Sequence, residues 1–116
     1  MQWIQKYRDI AEYLGVLGEI KITFHNMLIW ENQRVRGLYY PVADSKNMFL
    51  HHHIDIAADA VLHGYDHYMS VIAHELVHAW QYESGNDYTK HTKRSQFVQC
   101  CDNIAEQFGI IVQRSY

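Results

Sequence analysis

The segment His74-Glu75-Leu76-Val77-His78 combines metal-ligating and proton-accepting side chains at a spacing that chemistry can use. Four residues make about one turn of an α-helix, so the two imidazoles project from the same face with their nitrogens near one point. Neutral imidazole binds zinc well, at about 2.0 Å. Glu75 follows the first ligand directly, and from there its carboxylate reaches a water on the metal without taking a coordination position. Zinc acidifies that water and Glu75 takes its proton, which yields a nucleophile near neutral pH. The implied chemistry is peptide-bond hydrolysis with Zn2+ as cofactor, His74 and His78 as ligands and Glu75 as general base.

Two histidines are half a site, because a catalytic zinc takes three protein ligands. The extended pattern HExxHxxGxxH would need Gly at position 81 and His at position 84, where this chain has Gln81 and Ser84. A glutamate from the following helix is a second option, and Glu106 is the acid there that faces roughly the right way. Glu83 is too far round the same helix and too close along it. The third option is His91, where the loop containing Gly85 turns back into the next helix. An antiparallel return of that length brings the start of the next helix beside the metal, and His91 is preferred over Glu106. A non-catalytic module, in which the same ligands and zinc only hold two helices together, is the competing reading. Glu75 speaks against it: a purely structural site has no need of a carboxylate beside its first ligand and normally fills its fourth position with protein.

The motif needs a helix, and the spacing supplies one. Met69, Ile72, Ala73, Leu76, Val77 and Trp80 recur at helical intervals, which predicts about 16 to 18 residues of helix from about Asp66, stopped by Ser84-Gly85-Asn86-Asp87. A second strong helix is predicted over 92–107, with Phe97, Cys101, Ile104 and Phe108 at core spacing and Gly109 as its stop. Upstream, Trp3, Tyr7, Ile10 and Leu14 predict an amphipathic helix over 2–14. Residues 19–25 alternate as a half-buried strand, and 27–31 either continue it or begin another. A short strand over 36–42 is expected to end at Pro41, residues 43–47 form a polar turn, and 48–54 form another strand. Residues 55–64 read as either a helical turn or an irregular stretch. The order helix, strands, helix, helix gives an α+β fold in one domain spanning 1–116, with a small sheet of about three strands.

His74-Glu75-Leu76-Val77-His78-Ala79-Trp80-Gln81, a short polar loop, and then His91-Thr92-Lys93-Arg94-Ser95-Gln96-Phe97 together resemble the SprT-like metalloproteases, the family that includes Spartan. The upstream order of a helix, strand Lys21-Ile22-Thr23-Phe24, the segment Gly37-Leu38-Tyr39-Tyr40 and strand Asn47-Met48-Phe49-Leu50 is similar to that family's layout. The resemblance implies a zincin-like domain, a zinc site of His74, His78 and His91, and peptidase activity. Thr92 stands where the family has glycine.

Other residues have quieter readings. In a strand, His51 and His53 point one way and His52 the other. If residues 48–54 form an edge strand that pairs with an extended substrate, these histidines line its rim without binding zinc. His25, His63 and His67 read as surface or packing residues, with His67 two turns from His74 on one face. Cys100 and Cys101 are adjacent, so a structural disulfide is not expected, and they read as small apolar groups of the last helix. Lys90, Lys93 and Arg94 mark a solvated helix start. Tyr39, Tyr40, Tyr65 and Tyr88 are candidates for stabilising an oxyanion.

The chain has 116 residues, 48% hydrophobic and 20% charged, which excludes intrinsic disorder. Ten basic against thirteen acidic side chains leave a net charge of -3. That argues against broad binding to nucleic acid or anionic membranes, so the expected partner is a protein or peptide substrate. Charged residues near the N-terminus do not suit a signal peptide, and no apolar run approaches the ~18 residues of a membrane span. The expected compartment is cytoplasmic, and a catalytic domain this small suits a compact viral or bacterial genome.

Overall fold

In the computed structural model, residues 2–85 and 96–112 are described. The elements run in the order α1 (Gln2–Leu14), β1 (Ile20–His25), β2 (Leu28–Trp30), β3 (Gln33–Val35), β4 (Gly37–Ala43), β5 (Phe49–Ala57), α2 (Ala58–Leu62), α3 (Tyr65–Glu83) and α4 (Gln96–Phe108). This is an α+β fold, as expected. Residues 92–95 of the predicted last helix lie outside the described residues.

The main sheet has the order β1-β5-β4, with β1 parallel and β4 antiparallel to β5. The segment 48–54 is therefore no edge strand. It belongs to β5, which is paired on both sides, and among the described residues β1 and β4 are the edges. That placement also explains why Pro41 does not end β4. The His52 N–H of β5 donates to Glu19 on the β1 side, and the Ala57 N–H donates to Arg36, just before β4. Backbone direction alternates along a strand, so Pro41, Tyr39 and Gly37, opposite His52, Ile54 and Ile56, turn their backbone groups away from β5. Proline lacks an N–H, and at that position on an edge none is missed.

Residues 27–35 form a separate hairpin, which hydrophobic alternation alone did not predict. Leu28, Ile29 and Trp30 pair with Val35, Arg34 and Gln33, and the turn between them holds Glu31 and Asn32 at φ 49 and 64. Positive φ at both turn residues is the two-residue hairpin geometry whose twist matches that of the strands. The ambiguous stretch 55–64 is also resolved: β5 runs on to Ala57, and α2 follows directly.

The inner face of the sheet, with Ile54 and Ile56, packs against α3. Residues 69 to 79 of α3 are buried without interruption. A helix apolar on one face only would leave a polar stripe in solvent; this one is covered all round, by the sheet, α1 and α4. Tyr7, Ile10 and Ala11 of α1 and Phe97, Cys101 and Ile104 of α4 complete the core. A shift in register between Val42 and Ala43 leaves Leu50 out of the pairing, so Phe49 sits against His52 (ring centroids 4.7 Å apart) while Leu50 is exposed. Strict strand alternation, which would set Met48, Leu50, His52 and Ile54 on one face, is broken by this bulge. Among the described residues, no helix is long and apolar enough to cross a membrane.

At Gly37, β4 passes close against α3. A Cβ placed there would lie 2.6 Å from Val71 Cγ1 and 3.3 Å from Glu75 Cγ. Gly37→Ala is expected to lose on the order of 1–3 kcal/mol of stability through overpacking, read by urea denaturation. The double change Gly37→Ala/Val71→Ala should recover part of it, and a Gly37→Ala protein as stable as wild type would contradict this packing.

Candidate metal centre

The two histidines of the motif meet as their spacing requires. His74 Nε2 and His78 Nε2 lie 3.2 Å apart. Two bonds of about 2.05 Å at a tetrahedral angle would set their nitrogens about 3.3 Å apart, so the pair is already at a shared-cation separation. His74, Glu75 and His78 offer ligand atoms within 4.8 Å of one another, and this is the one such group of three or more among the described residues. All three are nearly enclosed, at 3%, 4% and 5% exposure. Glu75 Oε1 is 3.8 Å from His74 Nε2, beside the nitrogen pair and outside direct contact with it.

Burial of polar groups this deep requires partners, and α3 provides one that sequence reasoning missed. His78 Nδ1 is 2.8 Å from Gln81 Oε1, one turn on along the same helix and itself buried. With Nδ1–H donating to Gln81, Nε2 keeps its lone pair for a metal. The i, i+3 spacing of His78 and Gln81 was visible, but Gln81 entered only as the residue that excludes the extended glycine pattern. Phe97 at the start of α4 packs on both imidazoles, with ring centroids 5.0 Å from His74 and 4.9 Å from His78. Tyr39 of β4 lies along the His78 ring at 6.4 Å.

Burial pushes the Glu75 carboxyl up to about 8. An isolated carboxylate in such a place is costly, and a cation at the adjacent nitrogens would offset that cost. Two imidazoles and a carboxylate suit zinc and other borderline divalent metals, so the donor set fits a metal ion.

The remaining candidates are sorted by the fold. Glu106 is exposed on α4, on the side away from Phe97, Cys101 and Ile104, and lies outside the metal group; the alternative that made it the third ligand is not supported. His91, Tyr88, Lys90, Lys93 and Arg94 lie outside the described residues. His67 turns from the site to Arg36 (3.0 Å), and His63 follows it (3.5 Å). His25 and His53 both meet Asp55 Oδ1, at 2.9 and 3.0 Å, on the outer face of the sheet. Tyr40 stacks on His53 on that same face, away from α3, and Tyr65 is exposed at the start of α3. Cys101 is buried in the core, and burial pushes its thiol up to about 12; both cysteines are free.

His52 departs furthest from expectation. It is not on a rim but fully buried, between Glu83 and Tyr39. Burial alone would raise the Glu83 carboxyl, but hydrogen bonds from His52, Leu17 and Gly18 outweigh it and hold the group below its ordinary value of 4.5. The chain matches no family model, no curated protein and no solved structure.

Two outcomes follow from these contacts. Gln81→Leu should bind zinc about 10- to 100-fold more weakly, measured by competition with a chromophoric chelator, since His78 loses the acceptor that sets its tautomer. Because Glu83 is more acidic folded than unfolded, its contribution is present above pH 4.5 and lost as pH falls below that value. Urea titrations from pH 7 to pH 3 should therefore show a shallower acid loss for Glu83→Gln than for wild type.

Proposed function

We propose that this chain is a zinc-dependent metallopeptidase with a zincin-like, SprT-like domain. The observation that carries the reading is the pair of Nε2 atoms 3.2 Å apart inside a buried helix, with Glu75 beside them and not between them. A site built only for stability has no need of a carboxylate beside its ligands and normally fills its fourth position with protein. The third ligand in this reading is His91. Its support is that Phe97, six residues later in the sequence, packs against both motif imidazoles.

Bound there, zinc would supply Lewis acidity towards a water and a substrate carbonyl. The chain's own residues do the rest. Glu75 accepts the proton of the attacking water and passes it to the departing amine. Gln81 holds His78 in the tautomer that faces the ion. Gly37 and Tyr39 run along α3 from Glu75 to His78 and turn backbone N–H and C=O groups outward from the β4 edge. An extended peptide adding to that edge would lie beside Glu75, whereas Pro41 offers only its carbonyl. The substrate class is thus an extended or unfolded polypeptide, and β4 replaces 48–54 as the strand that receives it.

Protein purified without chelator should contain about one zinc per chain, and His78→Ala should not. His91→Ala should weaken zinc strongly while Glu106→Gln leaves it nearly unchanged, read by the same chelator competition. Glu75→Gln should keep zinc and fold but hydrolyse casein at least 100-fold more slowly, in line with general-base catalysis. If wild type and Glu75→Gln both bind zinc and are equally inert on casein and on a broad peptide library, the site is structural and the peptidase reading fails.

A further inference from the structure

The start of β4 carries a cation that the metal centre does not use. Arg36 is half-buried and directs its guanidinium at two imidazoles: Nη1 is 3.0 Å from His67 Nε2, and Nη2 is 3.5 Å from His63 Nε2. His63 Nδ1 donates to the Asp59 carbonyl at 2.6 Å, which leaves Nε2 of a neutral ring to accept from Arg36. Among the described residues no carboxylate pairs with Arg36. The Asp59 side chain close by is taken by Arg34, at 2.8 Å. A guanidinium facing two neutral rings is a charge without a counter-charge, which is costly away from bulk water. The His67 imidazole registers it: burial first, then the charges of Arg36 and His63, hold it below its ordinary value of 6.5.

The position of this cluster relates it to the site. Gly37, the next residue, lies against Val71 and Glu75, and Tyr39 lies along His78. Arg36 on His67 continues that series, so residues 67, 71, 75 and 78 form one stripe of α3 beneath β4. Eight positions of helix separate His67 from Glu75, about 12 Å, which an extended peptide spans in roughly three to four residues. A peptide added antiparallel to β4 runs from Pro41 towards Gly37, so its C-terminal part reaches Arg36.

We propose that Arg36, backed by His63 and His67, is a specificity-determining residue that binds a substrate carboxylate about three to four residues on the C-terminal side of the cleaved bond. The proposal rests on the metallopeptidase reading above and narrows its substrate from any extended polypeptide to one with an acidic group at that distance. A guanidinium has five N–H donors in a planar fork. The imidazoles engage two of them, and the others suit a carboxylate, whose charge supplies the missing counter-charge. That carboxylate is either an Asp or Glu side chain or the terminus of a peptide that ends there. The contact is the same in the ground state and in the transition state, so it acts on KM more than on kcat.

The test starts from the zinc-loaded full chain and casein, with the cleavage sites read by mass spectrometry. The best-cut sequence is then made as fluorogenic peptides with Glu or Gln at the third and fourth positions after the cut, and as shorter peptides ending there as free acid or amide. Wild type should prefer one charged form over its neutral counterpart about 10-fold in kcat/KM, mostly through KM, and 0.5 M NaCl should reduce that ratio. A Glu preference assigns the site to a side chain, and a free-acid preference assigns it to a chain terminus. Arg36→Gln should bring the ratio near one, and Arg36→Glu should turn the preference towards Lys. Arg34→Gln removes an arginine already paired with Asp59 and should keep the wild-type preference. Fluorescence anisotropy of the labelled peptides on zinc-loaded Glu75→Gln should show the same ratio in Kd without turnover. If wild type prefers neither charged form, the proposal is overturned and the peptidase reading stands. If Arg36→Gln keeps the preference, Arg36 only ties β4 to α3 and the proposal is equally overturned. If Arg36→Gln does not fold, the wild-type ratios and their salt dependence decide alone. A zinc-loaded wild type that cuts neither casein nor a broad peptide library overturns both readings together.

Discussion

Burial of the middle of α3 is the constraint on which the rest of this structure depends. From Met69 to Ala79 every residue of the helix is buried, so the sheet, α1 and α4 must each cover one of its sides. Most of that surface is aliphatic and its removal from water drives the packing, at roughly 25 cal/mol per Å2 of apolar area. Four of the buried residues are not aliphatic, one of them Ser70, whose hydroxyl donates to the Ile111 carbonyl. His74, Glu75 and His78 bring two imidazoles and a carboxyl into the least hydrated part of the protein, and each must find a partner or cost several kcal/mol. The geometry handles this economically. One nitrogen of His78 is satisfied by Gln81, the Nε2 atoms face one another, and Glu75, already displaced towards its neutral form, stands at the same spot. A divalent cation would satisfy all three at once.

The same burial makes the end of α3 important. Where the helix emerges, Glu83 is the first of its carboxylates able to reach the neighbouring loop, and it ties Leu17 and Gly18 to the helix while clamping His52 of the central strand. Loop, helix end and sheet are thus locked together at one carboxylate. Three well-directed hydrogen bonds to a charged acceptor are each stronger than neutral ones, and they hold the sheet in place over α3. Gly37 makes the matching close approach further along, where any side chain would collide with Val71. Between those two points the edge strand β4 is held against the helix over the length of the metal motif.

Much of this was legible in the chain itself. The helical spacing from Met69 to Trp80 announces α3, the His-Glu-x-x-His spacing places both imidazoles on one turn, and the alternation of Ile20, Ile22 and Phe24 announces β1. Each of these signals is local, because a period of 3.6 or 2 residues is set by backbone geometry within a single element. The convergence of His74 and His78 and the place of Glu75 beside them needed nothing beyond the helix. The opposed directions of His51, His52 and His53 also followed from strand geometry alone.

What only the tertiary structure decided is which elements are neighbours. Strand order is a non-local property, so sequence could not tell that the segment 48–54 is central and that β4, with its proline, is an edge. A one-residue bulge at Leu50 changed which side chains face the core, and no periodicity reports a bulge. Glu106 and His52 carry no sign of their surroundings either: one is turned to solvent by the way α4 packs, the other enclosed because β5 lies between two strands and beneath a helix end. The chemistry of the motif was written locally, along one turn of helix. The group that stands opposite it, Tyr39 held through His52 by Glu83, exists only because residues 13 and 31 positions apart are brought within hydrogen-bond distance.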